Sequence, residues 1–115
     1  MNKILIIGGA SQDILHINNK LLKTIGGAGL YTALGAKAAG AEVDMFAPLP
    51  KPIPKLMQPI TKHINWIGPS VAQEEIPHFE IMYDKNCVAT YTTVEPRAEA
   101  KLSPNDLPKD LSKYS

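Results

Sequence analysis

The chain has 115 residues, 44% of them hydrophobic, and a formal net charge of +1. That length makes one modest domain, burying roughly two-thirds of its unfolded surface. Scattered Lys and Arg at near-zero net charge remove the electrostatic case for nucleic acid or an anionic membrane as partner, and a single cysteine, Cys87, excludes an internal disulfide framework and fits a reducing cytoplasm.

The first apolar run, Ile4-Leu5-Ile6-Ile7, is too short for a signal-peptide core and stops at Gly8-Gly9; no other run approaches membrane-spanning length. Lys3 to Ile7 reads instead as a buried strand, continuous and β-branched as parallel sheets require. The small residues Gly8-Gly9-Ala10-Ser11 leave room beyond its carboxyl edge, where open α/β sheets bind ligands, and Asp13 is expected to point into that crevice. Residues 14–24 read as two short extended pieces joined by a turn at Asn18-Asn19, with a short helix as the rival. The run Gly26-Gly27-Ala28-Gly29 strips side chains from the backbone just ahead of a helix and exposes helix N-terminal N–H groups. Leu30, Ala33, Leu34 and Ala38 recur at helical spacing, with Gly40 as the stop. Glu42 to Ala47 then reads as a second strand, giving a parallel, right-handed strand–crossover–strand unit.

Five prolines between Pro48 and Pro59 read as a rigid loop rather than a proline-rich ligand. Apolar spacing predicts a helix near 53–63, which Pro59 would kink or break, and Ile64 to Ile67 a short strand. Residues 77–94 alternate on both sides of Asp84-Lys85-Asn86, an antiparallel hairpin with two unlike faces. Ser103, Pro104 and Asp106 mark a helix start with little chain left to use.

These features, in this order, resemble the N-terminal part of the PfkB, or ribokinase-like, family of carbohydrate and nucleoside kinases. The resemblance rests on the strand Ile4 to Asp13 with its terminal Asp, on Gly26-Gly27 followed by the Ala-Leu-Gly-Ala-Lys-Ala-Ala-Gly helix, on Glu42-Val43-Asp44-Met45-Phe46, and on the hairpin 77–94 with Ala98 to Leu107 after it. It covers essentially the whole chain but well under half of a family member. It implies an α/β fold with a parallel, Rossmann-like core and a small antiparallel β lid, the lid elements at about 14–25 and 77–94 being inserted in the core. It also implies an enzyme that moves the γ-phosphoryl of ATP, with Mg²⁺, to a sugar or nucleoside hydroxyl.

In that family the catalytic base, its anion hole and the nucleotide pocket lie in the C-terminal part, and no G-x-x-x-x-G-K-[ST] loop replaces them here. No catalytic residue is therefore expected in this chain, which alone is expected to be inactive. The resemblance leaves acceptor recognition: Asp13 for sugar hydroxyls, Gly26 and Gly27 for close backbone approach, Tyr31 to stack on a ring or donate one hydrogen bond, and Tyr91 with Thr93 to face the acceptor from the lid. The chain departs from the pattern at Tyr31, where an Asn is usual, and at Ala47-Pro48-Leu49-Pro50, where Gly-Asp is usual. Structural alternatives stand beside each assignment: Asp13 capping a turn, Gly26 and Gly27 serving only tight packing, Tyr31 as a plain wall residue, and Tyr91 and Thr93 in a lid-to-lid contact of a homodimer. His16, His63 and His78 lack ligand spacing, so no metal site is expected. Two other functions remain open. One is a Rossmann-type dinucleotide-binding domain using Gly27-x-Gly29, disfavoured because no strand is expected to run into those glycines and Thr32 stands where a third Gly belongs. The other is a non-catalytic module dimerising through the hairpin.

Overall fold

The structure, a computed structural model, describes residues 3–115. Strand β1 (Lys3–Ile7) ends at Gly8-Gly9 and is followed by β2 (Ser11–Ile17) and β3 (Lys20–Gly26), then by helix α1 (Ala28–Ala38) and β4 (Glu42–Phe46). β1 and β4 pair in parallel, Lys3 opposite Glu42 through Ile7 opposite Phe46. The β2–β3 hairpin is thus inserted in the crossover of an ordinary βαβ unit. Asn18 and Asn19 both take positive φ, the backbone that a two-residue hairpin turn demands and that Asn tolerates.

After β4 come β5 (Leu49–Pro50), β6 (Asn65–Ile67) and β7 (Ser70–Val71). β6 extends the parallel sheet to the order β1-β4-β6, and β5 and β7 form a short parallel pair. The helix expected over 53–63 is two separate 3-10 turns, Lys55–Met57 and Ile60–Lys62. Pro59, having no N–H to donate, stands between them. Met57 and Ile60 nevertheless keep their inward positions and pack with Leu30, Ala33, Val43, Met45 and Trp66 in the core. The tail forms only one 3-10 turn, Pro104–Asp106, with a complete capping box from Ser103 and Asp106.

Strands β8 (His78–Tyr83) and β9 (Ala89–Glu95) complete a second sheet in the order β3-β2-β8-β9. Both hairpins are antiparallel as expected, and they join along a parallel seam, Gln12 opposite His78 through His16 opposite Met82. Cross-strand partners lie on one face. Thr24, Asp13, Phe79 and Val94 form a row nearest the core, and Leu22, Leu15, Ile81 and Tyr91 form the next row outward. A bulge between Glu80 and Ile81 inserts Thr92 as an unpaired residue, so Tyr91 and Thr93 stand on opposite faces rather than together.

Bare backbone locks the two layers together. A Cβ at Gly29 would overlap the Gly8 carbonyl. One at Gly27, which has φ 106°, would overlap the Gly9 carbonyl. The Leu30 N–H donates to Gly9 O at 3.3 Å. At the opposite end of the parallel sheet Asp44, 2% exposed, accepts hydrogen bonds from Tyr114 Oη (2.6 Å) and Asn65 Nδ2 (3.0 Å), with Lys3 Nζ at 3.4 Å. Burial alone would raise the Asp44 pKa, but these three partners outweigh it and hold the carboxyl below its usual range.

Gly29→Ala is expected to lose about 1–3 kcal/mol in urea unfolding, since backbone must shift. Gly35→Ala, with nothing within 4 Å, should gain roughly 0.5–1 kcal/mol. Tyr114→Phe should cost about 1.5–3 kcal/mol, the worth of a hydrogen bond to a charged group. The Asp44 contribution is present above the ordinary carboxylate range and is lost as pH falls through its depressed pKa. The Tyr114 phenol is pushed up to about 12 by burial and by Asp44, so its contribution is intact below 10.0 and lost as pH climbs toward 12. Unfolding midpoints measured from pH 2 to 12 check both limbs.

Candidate acceptor-binding site

β1 ends in three small residues because α1 must begin against them, and that leaves a hollow beyond the strand's carboxyl end. A cavity of about 520 Å³ opens there, lined by Gly8, Gly9, Ser11, Gly27, Thr32 and Glu99 among others. β2 starts at its rim. Ser11 is 1% exposed and its Oγ, like Oδ1 of Asp13, is buried without a hydrogen-bond partner among the described residues. Buried polar atoms left unpaired cost about 1–3 kcal/mol each, and of these two Ser11 belongs to the lining of this cavity while Asp13 does not.

Asp13 sits directly over Gly26. A Cβ there would overlap Asp13 Oδ2 and lie 3.4 Å from Ser11 Oγ. Gly26 therefore makes room for a carboxylate, whereas Gly27 and Gly29 make room for backbone. Asp13 stands on the same sheet face as Phe79, which lines the large cavity, and itself lines an adjoining hollow of about 240 Å³ with Lys23, Thr24 and His78. Burial pushes its carboxyl above the usual range, opposed by the Ser11 hydroxyl, by His78 and by the Phe79 amide.

The two tyrosines lie elsewhere. Tyr31 is 63% exposed and its hydroxyl donates to Ile25 O at 3.3 Å; the neighbouring Thr32, not Tyr31, lines the cavity. Tyr91 is 60% exposed and reaches the cavity only through Phe79, against which it packs edge-on with ring centroids 6.3 Å apart. Glu99 is the residue that sequence reasoning missed. It belongs to the 3-10 turn Arg97–Lys101, which is anchored by buried Ala98 and by the Arg97 guanidinium donating to Glu74 O at 2.7 Å. That turn presses the Glu99 carboxylate onto Gly9, where a Cβ would collide with it.

The strand entering the glycine run also needs correction. β3 does lead directly into Gly26, contrary to expectation, but it is a lid strand antiparallel to β2 and not the first strand of a nucleotide-binding βαβ unit. No three His, Cys, Asp or Glu side chains converge to hold a metal ion among the described residues, and no helix there is long and apolar enough to cross a membrane.

No protein-family model and no curated protein matches the chain. Solved structures do. It is similar to ribokinase from Cryptococcus neoformans var. grubii serotype A in complex with ADP, with a TM-score of 0.73 and 17% identity over 98% of this chain and 39% of that one. Aminoimidazole riboside kinase from Salmonella enterica, complexed with aminoimidazole riboside and an ATP analog, matches at 0.63 and 24% identity over 93% and 36%. Adenosine kinase from Sinorhizobium meliloti matches at 0.72 and 15% over 93% and 43%. The chain spans well under half the length of each of these structures. Its fold is the ribokinase-like α/β fold, present here as a parallel core layer and its attached β sheet.

Proposed function

We propose that this chain is the acceptor-binding portion of an ATP-dependent sugar or nucleoside kinase. The observation that carries the reading is the pair of unpartnered buried oxygens beside Gly26, Ser11 Oγ on the wall of the cavity and Asp13 Oδ1 on the smaller hollow of the lid sheet. Ionised Asp13 accepts hydrogen bonds from two hydroxyls, Ser11 adds a third contact, and the bare backbone at Gly26-Gly27 lets a ring approach. Thr32 and Phe79 complete the walls. The residues present do not fit ATP or Mg²⁺: the sequence has no G-x-x-x-x-G-K-[ST] loop and no metal-holding cluster stands among the described residues, which supports placing the phosphoryl-transfer machinery in other parts of the fold. Similarity to kinases holding ADP or an ATP analog supports ATP as donor. A dinucleotide-binding role is not favoured, because the glycines pack on Gly8, Gly9 and Asp13.

A cytoplasmic setting is part of this proposal, supported by the free thiol of Cys87. The outer row of the lid sheet leaves Leu22 and Tyr91 exposed, and a second copy covering that face is the proposed partner.

Asp13→Asn should weaken binding of a neutral sugar or nucleoside about tenfold to a hundredfold in calorimetric titration, the worth of a charge-assisted contact. The same variant should unfold at higher urea near pH 7. A carboxyl whose folded pKa is raised costs stability once pH exceeds that pKa, and Asn removes the cost. Gly26→Ala should keep the fold, because a side-chain end gives way, yet lose binding as Asp13 is displaced. Purified chain is expected to scatter light as a dimer and to show no turnover with ATP and a sugar and nucleoside panel; robust turnover would refute the assignment of catalysis to other parts of the fold.

A further inference from the structure

We infer that Glu99 selects the charge class of the acceptor, restricting this cavity to neutral or cationic compounds and rejecting phosphorylated or carboxylated ones. The inference rests on the acceptor-site reading above and goes further in naming the class. Glu99 lines the same cavity as Ser11, on the turn Arg97–Lys101 far along the chain from α1, and its carboxylate is pressed against Gly9. No Lys, Arg or His side chain lines the cavity to offset it. The Glu99 carboxylate has no hydrogen-bond or ion-pair partner among the described residues. The buried, unpartnered Ser11 hydroxyl on the same lining marks the space as one that receives polar groups of a ligand.

The positive end of α1 would ordinarily invite an anion here, since its N-cap Gly27 carries no capping side chain and its first turn holds no acidic residue. Ala28 and Gly29, at that helix start, line the same cavity as Glu99. The protein's own carboxylate thus fills the anionic role, and a ligand phosphate would meet a like charge in a partly desolvated space. A neutral ring with hydroxyls, or one carrying an amine, meets an acceptor instead.

The test is calorimetric titration of the 115-residue chain and of Glu99→Gln, each with D-ribose, adenosine, D-ribose 5-phosphate and adenosine 5′-monophosphate. Circular dichroism confirms that the variant folds, and Glu99→Asp serves as the charge-conserving control. The expected result is that each phosphorylated compound binds at least tenfold more weakly than its neutral parent, that Glu99→Gln shrinks this ratio to about threefold or less, and that Glu99→Asp retains it. Equal or tighter binding of the phosphorylated forms, or a ratio unchanged in Glu99→Gln, would overturn the role of Glu99 while leaving the acceptor site standing. Binding of none of the four by the native chain would overturn the acceptor reading itself, and this inference with it.

Discussion

At Gly8-Gly9 and Gly27-Gly29 two lengths of main chain meet with no side chain between them, and the position of every other element follows from that contact. The end of β1 and the start of α1 can come this close only because Gly27 and Gly29 lack a Cβ, which would strike the Gly9 and Gly8 carbonyls, and because one at Gly8 would lie 3.0 Å from Gly29 Cα. Their approach sets the angle at which α1 lies on the parallel sheet, where Leu30 and Ala33 meet Val43 and Met45. It also fixes where β2 leaves the core, since Ala10 follows the contact directly and is 2% exposed. The hollow beyond β1 exists because both walls there are backbone. The acceptor site proposed above needs room more than it needs residues, and glycine supplies room.

The glycines divide the work. Gly27 and Gly29 are structural, each answering to a carbonyl that cannot move. Gly26 answers to a carboxylate, which can. One short run therefore packs against main chain at one end and against the Asp13 carboxylate at the other. Ser11 and Asp13 carry the cost of this arrangement as buried oxygens without partners. The network at Asp44 shows the opposite treatment of a buried carboxylate, with Tyr114, Asn65 and Lys3 all aimed at it. Asp44 is saturated with donors, whereas the oxygens of Ser11 and Asp13 are left wanting partners, as the acceptor-site proposal requires.

The local elements were legible in the sequence wherever one residue type dictates backbone. The Asn18-Asn19 turn, the strand Lys3–Ile7, the alternation of the hairpin and the packing of an Ala-rich helix against a parallel strand all came from short-range chemistry. Asp13 and Gly26 could be paired because they flank one hairpin. The missed features each depend on a contact far along the chain or on a single backbone irregularity. Nothing in Tyr91-Thr92-Thr93 marks Thr92 as the bulged residue that turns its neighbours to opposite faces. Glu99 sits in Ala98-Glu99-Ala100-Lys101, which reads as a solvated turn, and only the positive φ of Arg97 (52°), unusual for that residue, steers it to Gly9. Tyr31 drew attention as a departure from a family pattern, yet its backbone position turns the ring outward and leaves Thr32 at the cavity.

The parallel seam between β2 and β8 has a consequence for how the molecule assembles. Each hairpin closes through a turn of a few residues, an event of microseconds. The seam unites strands whose partners Gln12 and His78 are 66 positions apart, and α1, β4 and β6 lie within that interval. The entropy of closing so large a loop is offset only once α1, β4 and β6 have brought its ends near. The two hairpins are thus early, independent units, and their union is a late event that reports the core's completion. The site rim, built from Ser11 and Asp13 on one side of that seam and Phe79 on the other, comes into being at the last step of folding.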